Sequence, residues 1–177
     1  MRIYTRQGEA PAMPLGRRLD TYATGFGHGR IWTAGSLPVS VELPEANTPP
    51  ATSDNPTHWV RLLESYFAGE ALAFPLDVDA YAQVAGLSQF ECAVMTALAR
   101  VPYGSVVTYA ELAELAGHPR AQRAAGTVMA RNRLPIILPC HRVVRSDGTL
   151  GEYGSDPRWK QRLLTLEGVH CEGGKVA

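Results

Sequence analysis

The spacing of apolar residues changes period along the chain. From Asp20 to Leu43, in DTYATGFGHGRIWTAGSLPVSVEL, short β-type runs are broken by glycines. Tyr22–Thr24 and Arg30–Ala34 read as hairpin strands around Gly25, Gly27 and Gly29, and Val39–Leu43 alternates with period 2 as a third strand. Pro44 to Pro56 is a polar, proline-rich loop. Beyond Thr57 the period lengthens: Trp59, Leu62, Leu63, Tyr66 and Phe67 fall at helical spacing, with Gly69 as a stop. Ala71–Asp79 then reads as an extended linker. The expectation is a small three-stranded sheet and helix unit, residues 1–79, of α+β class.

The rest of the chain is predicted to be mostly helical. Ser88 caps a helix whose Phe90, Val94, Leu98 and Val101 make one apolar face, and Pro102-Tyr103-Gly104 breaks it. Thr108 caps TYAELAELAG, with Glu111 three residues on as a capping box, and Gly117 closes it. Pro119 reads as the start of PRAQRAAGTVMARN, ended by Asn132. Two short helices across a tight glycine-containing turn make a helix-turn-helix candidate, with Arg120, Arg123 and Arg131 on its second helix. The competing reading is two packed helices with a solvated basic face. Pro135–Pro139 is a short apolar run, expected as a buried strand-like approach to Cys140. Ser146-Asp147-Gly148-Thr149 is a turn and Gly148–Gly154 a flexible loop. Asp156-Pro157 opens a last helix with Trp159, Leu163 and Leu166 on one face. The second domain is expected over 80–170, with 171–177 as a loose tail.

Composition narrows the class. A hydrophobic fraction of 45% in 177 residues supports a real core in one large or two small domains. No apolar run approaches the roughly 20 residues that span a bilayer, and the first residues lack a continuous apolar stretch, so neither membrane span nor secretory leader is expected. Cys92, Cys140 and Cys171 are an odd and sparse set, which speaks against a disulfide framework and for a reducing compartment. Without a Cys-x-x-Cys pair or a His-rich tract, no structural zinc is expected. Net charge is zero, but its distribution is uneven: Met1–Ala99 holds 6 Arg against 10 acids, and Arg100–Ala177 holds 11 Lys and Arg against 7. Of the 17 basic residues 15 are Arg, the side chain whose planar fork grips phosphate. A dipolar surface without a partner is the plainer alternative.

Pro139-Cys140-His141-Arg142 is where chemistry concentrates. A thiolate is the nucleophile, and a free thiol is only a few per cent ionised at neutral pH. A nearby imidazole can take its proton and a guanidinium adds positive potential. Adjacent residues of an extended chain point to opposite sides, so a bridging water would have to connect Cys140 to His141, with a carboxylate elsewhere holding the imidazole. Alternatively Cys140 is a buried inert thiol, as most free cysteines are. Cys92, on an apolar helix face, and Cys171 fit that description. The residues alone reach an activated cysteine beside a DNA-binding helix pair and do not name a reaction.

From Phe74 to Gly168 the ordered set LAFPLDVD, VPYGSVVTYAELAELAG, RAAG, ARN and PIILPCHRVVRSDGTLGEYG resembles the O6-alkylguanine-DNA alkyltransferases. The resemblance implies a ribonuclease H-like N-terminal domain and a winged-helix-like helix-turn-helix in the C-terminal one. It implies direct DNA repair: the alkyl group of O6-methylguanine, and less readily of O4-methylthymine, moves irreversibly to the protein's own cysteine, once per molecule and without a cofactor or metal. The partner is double-stranded DNA, entered by the second helix through the minor groove, with the damaged nucleotide flipped out of the stack. A cytoplasmic monomer is implied (nuclear in a eukaryote), with cooperativity on DNA left open. By position Cys140 is the acceptor, His141 the water-mediated base and Glu167 its orienting carboxylate. Asn132 matches the hinge between recognition helix and active-site segment. Tyr109 matches the tyrosine that receives the flipped nucleotide and donates to the purine edge. Tyr153 matches the wall of the alkyl pocket, which Pro135 and Lys160 support, while the backbone of Cys140, Val143 and Gly154 reads the guanine. Arg123 matches the finger that fills the gap in the duplex, and Ala121, Ala124, Ala125 and Gly126 are small enough for close approach to the groove walls.

Two stretches depart from the family pattern. Asn132-Arg133-Leu134-Pro135 stands where Asn-Pro is usual, and Glu152 and Pro157 change the loop beside the pocket. Three rival functions are also compatible with parts of the sequence. An alkyltransferase-like lesion binder lacks the cysteine that is present here. A cysteine hydrolase would turn over and have no use for Tyr109 or Arg123. A transcription regulator would use the helix pair and not Cys140.

Overall fold

The N-terminal hairpin is longer than its sequence signals. In the computed structural model, which describes residues 16–50, 55–151, 153–154, 156 and 158–177, β1 (Arg17–Thr24) and β2 (Gly27–Ala34) pair antiparallel along their whole length. β3 (Leu37–Glu45) adds to the free edge of β2, giving the order β1-β2-β3. Gly27 and Gly29 lie inside β2 and not in the turn. Gly29 faces Tyr22, whose ring fills the space a Cβ would need. The buried face of the sheet carries Tyr22, Ile31, Val39 and Val41. α1 (His58–Phe67) covers that face with Trp59, Val60, Leu63 and Tyr66, and Gly69 follows it at φ 90° as its position suggested.

The linker expectation is corrected. Val78–Ala85 is a helix, α2, capped by the Asp77 side chain, which accepts from the Ala80 N–H at 2.9 Å, and closed by Gly86 at φ 66°. It buries only Tyr81 and Ala82, too little for a legible apolar period. A domain break at residue 79 would fall inside it. The two capping boxes occur as read. Ser88 with Glu91 opens α3 (Gln89–Ala99), and Thr108 with Glu111 opens α4 (Tyr109–Leu115). α5 starts at Gln122, not Pro119, and runs to Ala130. Arg120, at φ 71°, holds the preceding turn in the left-handed region, and Ala121 is the cap residue of α5.

The run before Cys140 is not a strand. Ile136 has φ 75° and the Leu138 N–H donates to the Leu134 carbonyl at 2.8 Å, so 134–138 coils into a buried turn. Cys140–Arg142 forms one turn of 3-10 helix and leads into β5 (Val143–Val144), which pairs parallel with β4 (Val107–Thr108). α6 spans Arg158–Leu166. Residues 171–177 are not loose: β6 (Cys171–Glu172) and β7 (Lys175–Val176) form a hairpin that binds Thr149 and Leu150 and closes a small core of Val144, Leu150 and Leu164. That anchors 148–150 of the loop expected to be flexible. Glu152 and Pro157 lie outside the described residues. The main core is continuous from Tyr22 and Trp59 through Leu98 and Ala125 to Ile137 and Leu163. No described helix is long and apolar enough to cross a membrane.

Candidate active site

Cys140 sits in this core with 8% of its surface exposed. Asn132, just past α5, donates through Nδ2 to the Cys140 sulfur at 3.0 Å and to the Leu138 carbonyl at 2.8 Å, while its Oδ1 accepts from the Leu134 N–H at 3.0 Å. One buried amide thus ties the end of α5, the 134–138 turn and the thiol together. The Tyr153 hydroxyl lies 3.8 Å from the sulfur, and Pro135 is buried within the turn. Burial pushes the Cys140 thiol up, against the pull of Asn132, Tyr153 and the Lys160 charge, so the resting group is a protonated thiol. Lys160 is buried on α6 and donates to the Val143 carbonyl. Burial lowers its ammonium to about 8, with Cys140 opposing that shift.

The imidazole next to it has a fixed orientation. His141 is fully buried, with Nε2 at 2.7 Å from Glu167 Oε1. A carboxylate only accepts, so Nε2 carries the proton and Nδ1 is the basic nitrogen. Nδ1 is buried without a partner among the described residues. Cys140 and His141 share a 3-10 turn, contrary to the extended backbone expected, yet no direct bond joins thiol and imidazole among the described residues. Glu167, at the end of α6, also accepts from Arg142 Nε at 2.9 Å and Nη2 at 2.9 Å, from the Tyr66 hydroxyl at 2.7 Å and from the Gly104 N–H at 3.1 Å. Burial alone would raise this carboxyl; the bonds from His141 and Arg142 outweigh it and hold it at about 2. Glu167 therefore stays ionised and orients His141 without taking its proton. Burial lowers His141 below its ordinary value despite Glu167, which keeps it a neutral base near pH 7. Arg142 is buried and spends its other arm on the Val101 carbonyl at 2.6 Å, so it is structural and has no free face for phosphate.

Tyr109 opens α4 half-buried at the seam with α5, where a Cβ on Gly126 would stand 3.8 Å from its ring. Burial raises its phenol, Cys140 adds to that and Arg145 opposes it, so both lie within electrostatic reach. Arg123 and Ala124 are exposed on α5. Ala125 is fully buried in the core, which corrects its assignment to the DNA-facing set. Ala121 is half-buried at the helix cap and Arg120 exposed in the turn before it. Arg131 stands 3.9 Å from Glu91. Val143 is buried with its carbonyl held by Lys160, and Gly154 is exposed. Arg133 points outward while its carbonyl accepts from the Val41 N–H of β3 at 2.8 Å. Cys92 is only partly buried and donates to Asp79 at 3.5 Å, so it is not the core thiol expected. Among the described residues no cluster of three or more His, Cys, Asp or Glu could hold a metal ion.

Tyr66 was not foreseen. In the sequence it is one aromatic of a helical apolar face, indistinguishable from its neighbours, and nothing there signals that its hydroxyl meets Glu167.

Residues 89–169 match the family model described as 6-O-methylguanine DNA methyltransferase, DNA binding domain. A methylated-DNA–protein-cysteine methyltransferase of Methanopyrus kandleri is 42% identical over 133 residues, covering 74% of this chain and 95% of that protein. One from Mycolicibacterium paratuberculosis is 37% identical over 80% of this chain and 88% of its own. The crystal structure of Mycobacterium tuberculosis OGT in complex with DNA is similar at a TM-score of 0.68 and 31% identity, covering 85% of this chain and 92% of that one.

Proposed function

Because the chain belongs to the methylated-DNA–protein-cysteine methyltransferases, we infer that it binds DNA and repairs it by direct reversal, taking the methyl group of O6-methylguanine onto Cys140. The observation that carries the assignment of residues is the buried Cys140 thiol beside a His141 whose Nε2–H is committed to Glu167. The thiol proton passes through a water to His141 Nδ1. The sulfur then attacks the methyl carbon, the bond from carbon to O6 breaks, and its electron pair stays on the purine. Tyr109 donates to the purine edge as that charge develops, and the proton lost by the thiol returns to the guanine. The products are S-methylcysteine and unmodified guanine. A thioether is a poor leaving group, so each molecule reacts once; O4-methylthymine is the slower substrate.

The finer assignments belong to the same reading. α4 and α5 act as a helix-turn-helix whose second helix enters the minor groove, the nucleotide is flipped out of the stack, and Arg123 fills the gap. The sheet with α1 corresponds to the ribonuclease H-like unit, and β4–β5 flank the helix pair as in a winged helix. The protein acts as a monomer, without a cofactor. The domain scheme of 1–79 and 80–170 is kept as a functional division, although α2 bridges the nominal border.

The test is intact-protein mass after incubation with a duplex carrying one O6-methylguanine. One methyl group per chain at most is expected, absent in Cys140→Ser. Repeated turnover would point to the hydrolase, and tight lesion binding without a mass gain to the lesion binder.

A further inference from the structure

Tyr66 lies near the end of α1, in the N-terminal unit, and is completely buried. Its ring packs edge-on against Phe67, Tyr103 and His141, with centroids 5.5, 6.1 and 6.4 Å away, and tilted against Phe74 at 6.1 Å. A phenylalanine would fill the same aromatic cluster. The hydroxyl is what calls for a reason: it donates to Glu167 Oε1 at 2.7 Å, and its oxygen stands 3.3 Å from His141 Nε2.

Two consequences follow from that geometry. With its proton committed to the carboxylate, the phenol oxygen faces Nε2 as an acceptor. Both groups around Nε2 then accept, so only the tautomer with a proton there satisfies them. Further, Oε1 already receives His141 and Arg142, and the phenol takes a share of the negative charge that would otherwise act on the imidazole.

We propose that Tyr66 is a positioning residue of the alkyl-transfer relay, contributed by the N-terminal unit, which fixes His141 with Nδ1 bare and divides the charge of Glu167. The proposal rests on the repair reading above. The other charged groups that bear on His141 are Glu167 itself, Arg142 from the same 3-10 turn and Lys160 from α6. Tyr103, in the segment before β4, acts on the carboxylate and not on the ring. Tyr66→Phe leaves all of them in place.

The sign is set by the charge. Without the phenol O–H, more of the Glu167 charge falls on His141, which then protonates at higher pH. Neutral His141 is the form that takes the thiol proton. The acid limb of the single-turnover transfer rate should therefore move up by roughly half a pH unit or more in full-length Tyr66→Phe. The plateau rate should fall by no more than about tenfold. Phe74→Leu thins the same aromatic cluster without touching a polar group, and its acid limb should stay in place. On the wild-type chain without DNA, 15N NMR of His141 should show the Nε2–H tautomer. An unmoved limb in Tyr66→Phe, an equal shift in Phe74→Leu, or an Nδ1–H tautomer would each overturn the proposal. Should Tyr66→Phe not fold, 3-fluorotyrosine placed at position 66 strengthens the phenol as a donor and should move the acid limb down; an unmoved limb there overturns the proposal. Wild-type protein that gains no methyl group overturns the repair reading instead, while the tautomer result still stands or falls separately.

Discussion

At Glu167 four groups converge on one carboxylate: an imidazole, a guanidinium, a phenol and a backbone N–H. Its pKa falls from 4.5 to about 2, and the sign of the linkage follows. A depressed carboxyl stabilises the fold fully above the unfolded value near 4.5 and loses that contribution as pH falls toward 2; the shift corresponds to about 3 kcal/mol. Glu167→Gln also leaves the Arg142 charge buried without its partner, a defect of about 3–5 kcal/mol in comparable pairs. Denaturant melts should show that the gap between wild type and Glu167→Gln, widest above pH 5, narrows by pH 3. A gap independent of pH would mean that the carboxylate is not held ionised. Transfer should slow by about 100-fold or more through the loosened His141, with DNA affinity in gel shifts nearly unchanged. The sequence made Cys140 and His141 visible because two reactive side chains stood together in an apolar context. Glu167 was reached only through the family resemblance, and Tyr66 not at all, because a buried phenol and a core aromatic share the same spacing.

The elements were legible in proportion to their local signals. The capping boxes of α3 and α4 are written in four consecutive residues each, and both occur. The 134–138 turn defeated the reading because its conformation depends on Asn132 and on burial, which let a β-branched residue, Ile136, adopt φ 75°. Arg120 is the second residue of this kind, but exposed. The left-handed region costs a side chain about 1–2 kcal/mol that glycine avoids. Arg120→Gly should therefore raise stability by about 1 kcal/mol in thermal or denaturant melts, whereas Arg120→Ala should not; equal melts for the two would remove the strain argument. Of the small residues assigned to the groove, Ala125 proved to face the core, since successive helical residues turn by about 100° and a run of four cannot share one face. Arg123 is exposed on the other face. Arg123→Ala should slow repair of a duplex at least tenfold more than reaction with free O6-methylguanine, measured as single-turnover rates on both substrates; equal losses would sink the finger role.

Across the whole molecule, the surplus of acidic residues falls in Met1–Ala99 and the surplus of basic residues in Arg100–Ala177. Arg120, Arg123 and Arg145 are exposed, the first in the turn before α5, the second on α5 and the third within electrostatic reach of Tyr109. The N-terminal unit takes no part in that charge but grips the C-terminal one at two working points. The Val41 N–H of β3 holds the carbonyl of Arg133, beside the Asn132 hinge, and Tyr66 holds Glu167. No sequence pattern announces either contact, because both join residues far apart in the chain through groups that look structural. The charge separation gives a thermodynamic expectation. Two phosphates neutralised by Arg120 and Arg145 predict a slope of log affinity against log salt of about −1.8, a loss of roughly 12-fold between 50 and 200 mM. Fluorescence anisotropy with an undamaged duplex measures this slope directly. Arg120→Ala should flatten it by about one. Reaction with free O6-methylguanine, which carries no phosphate, should be insensitive to salt over the same range. If salt slows the free base as much as the duplex, the ions act on the relay, and Arg120 and Arg145 are not what holds the DNA.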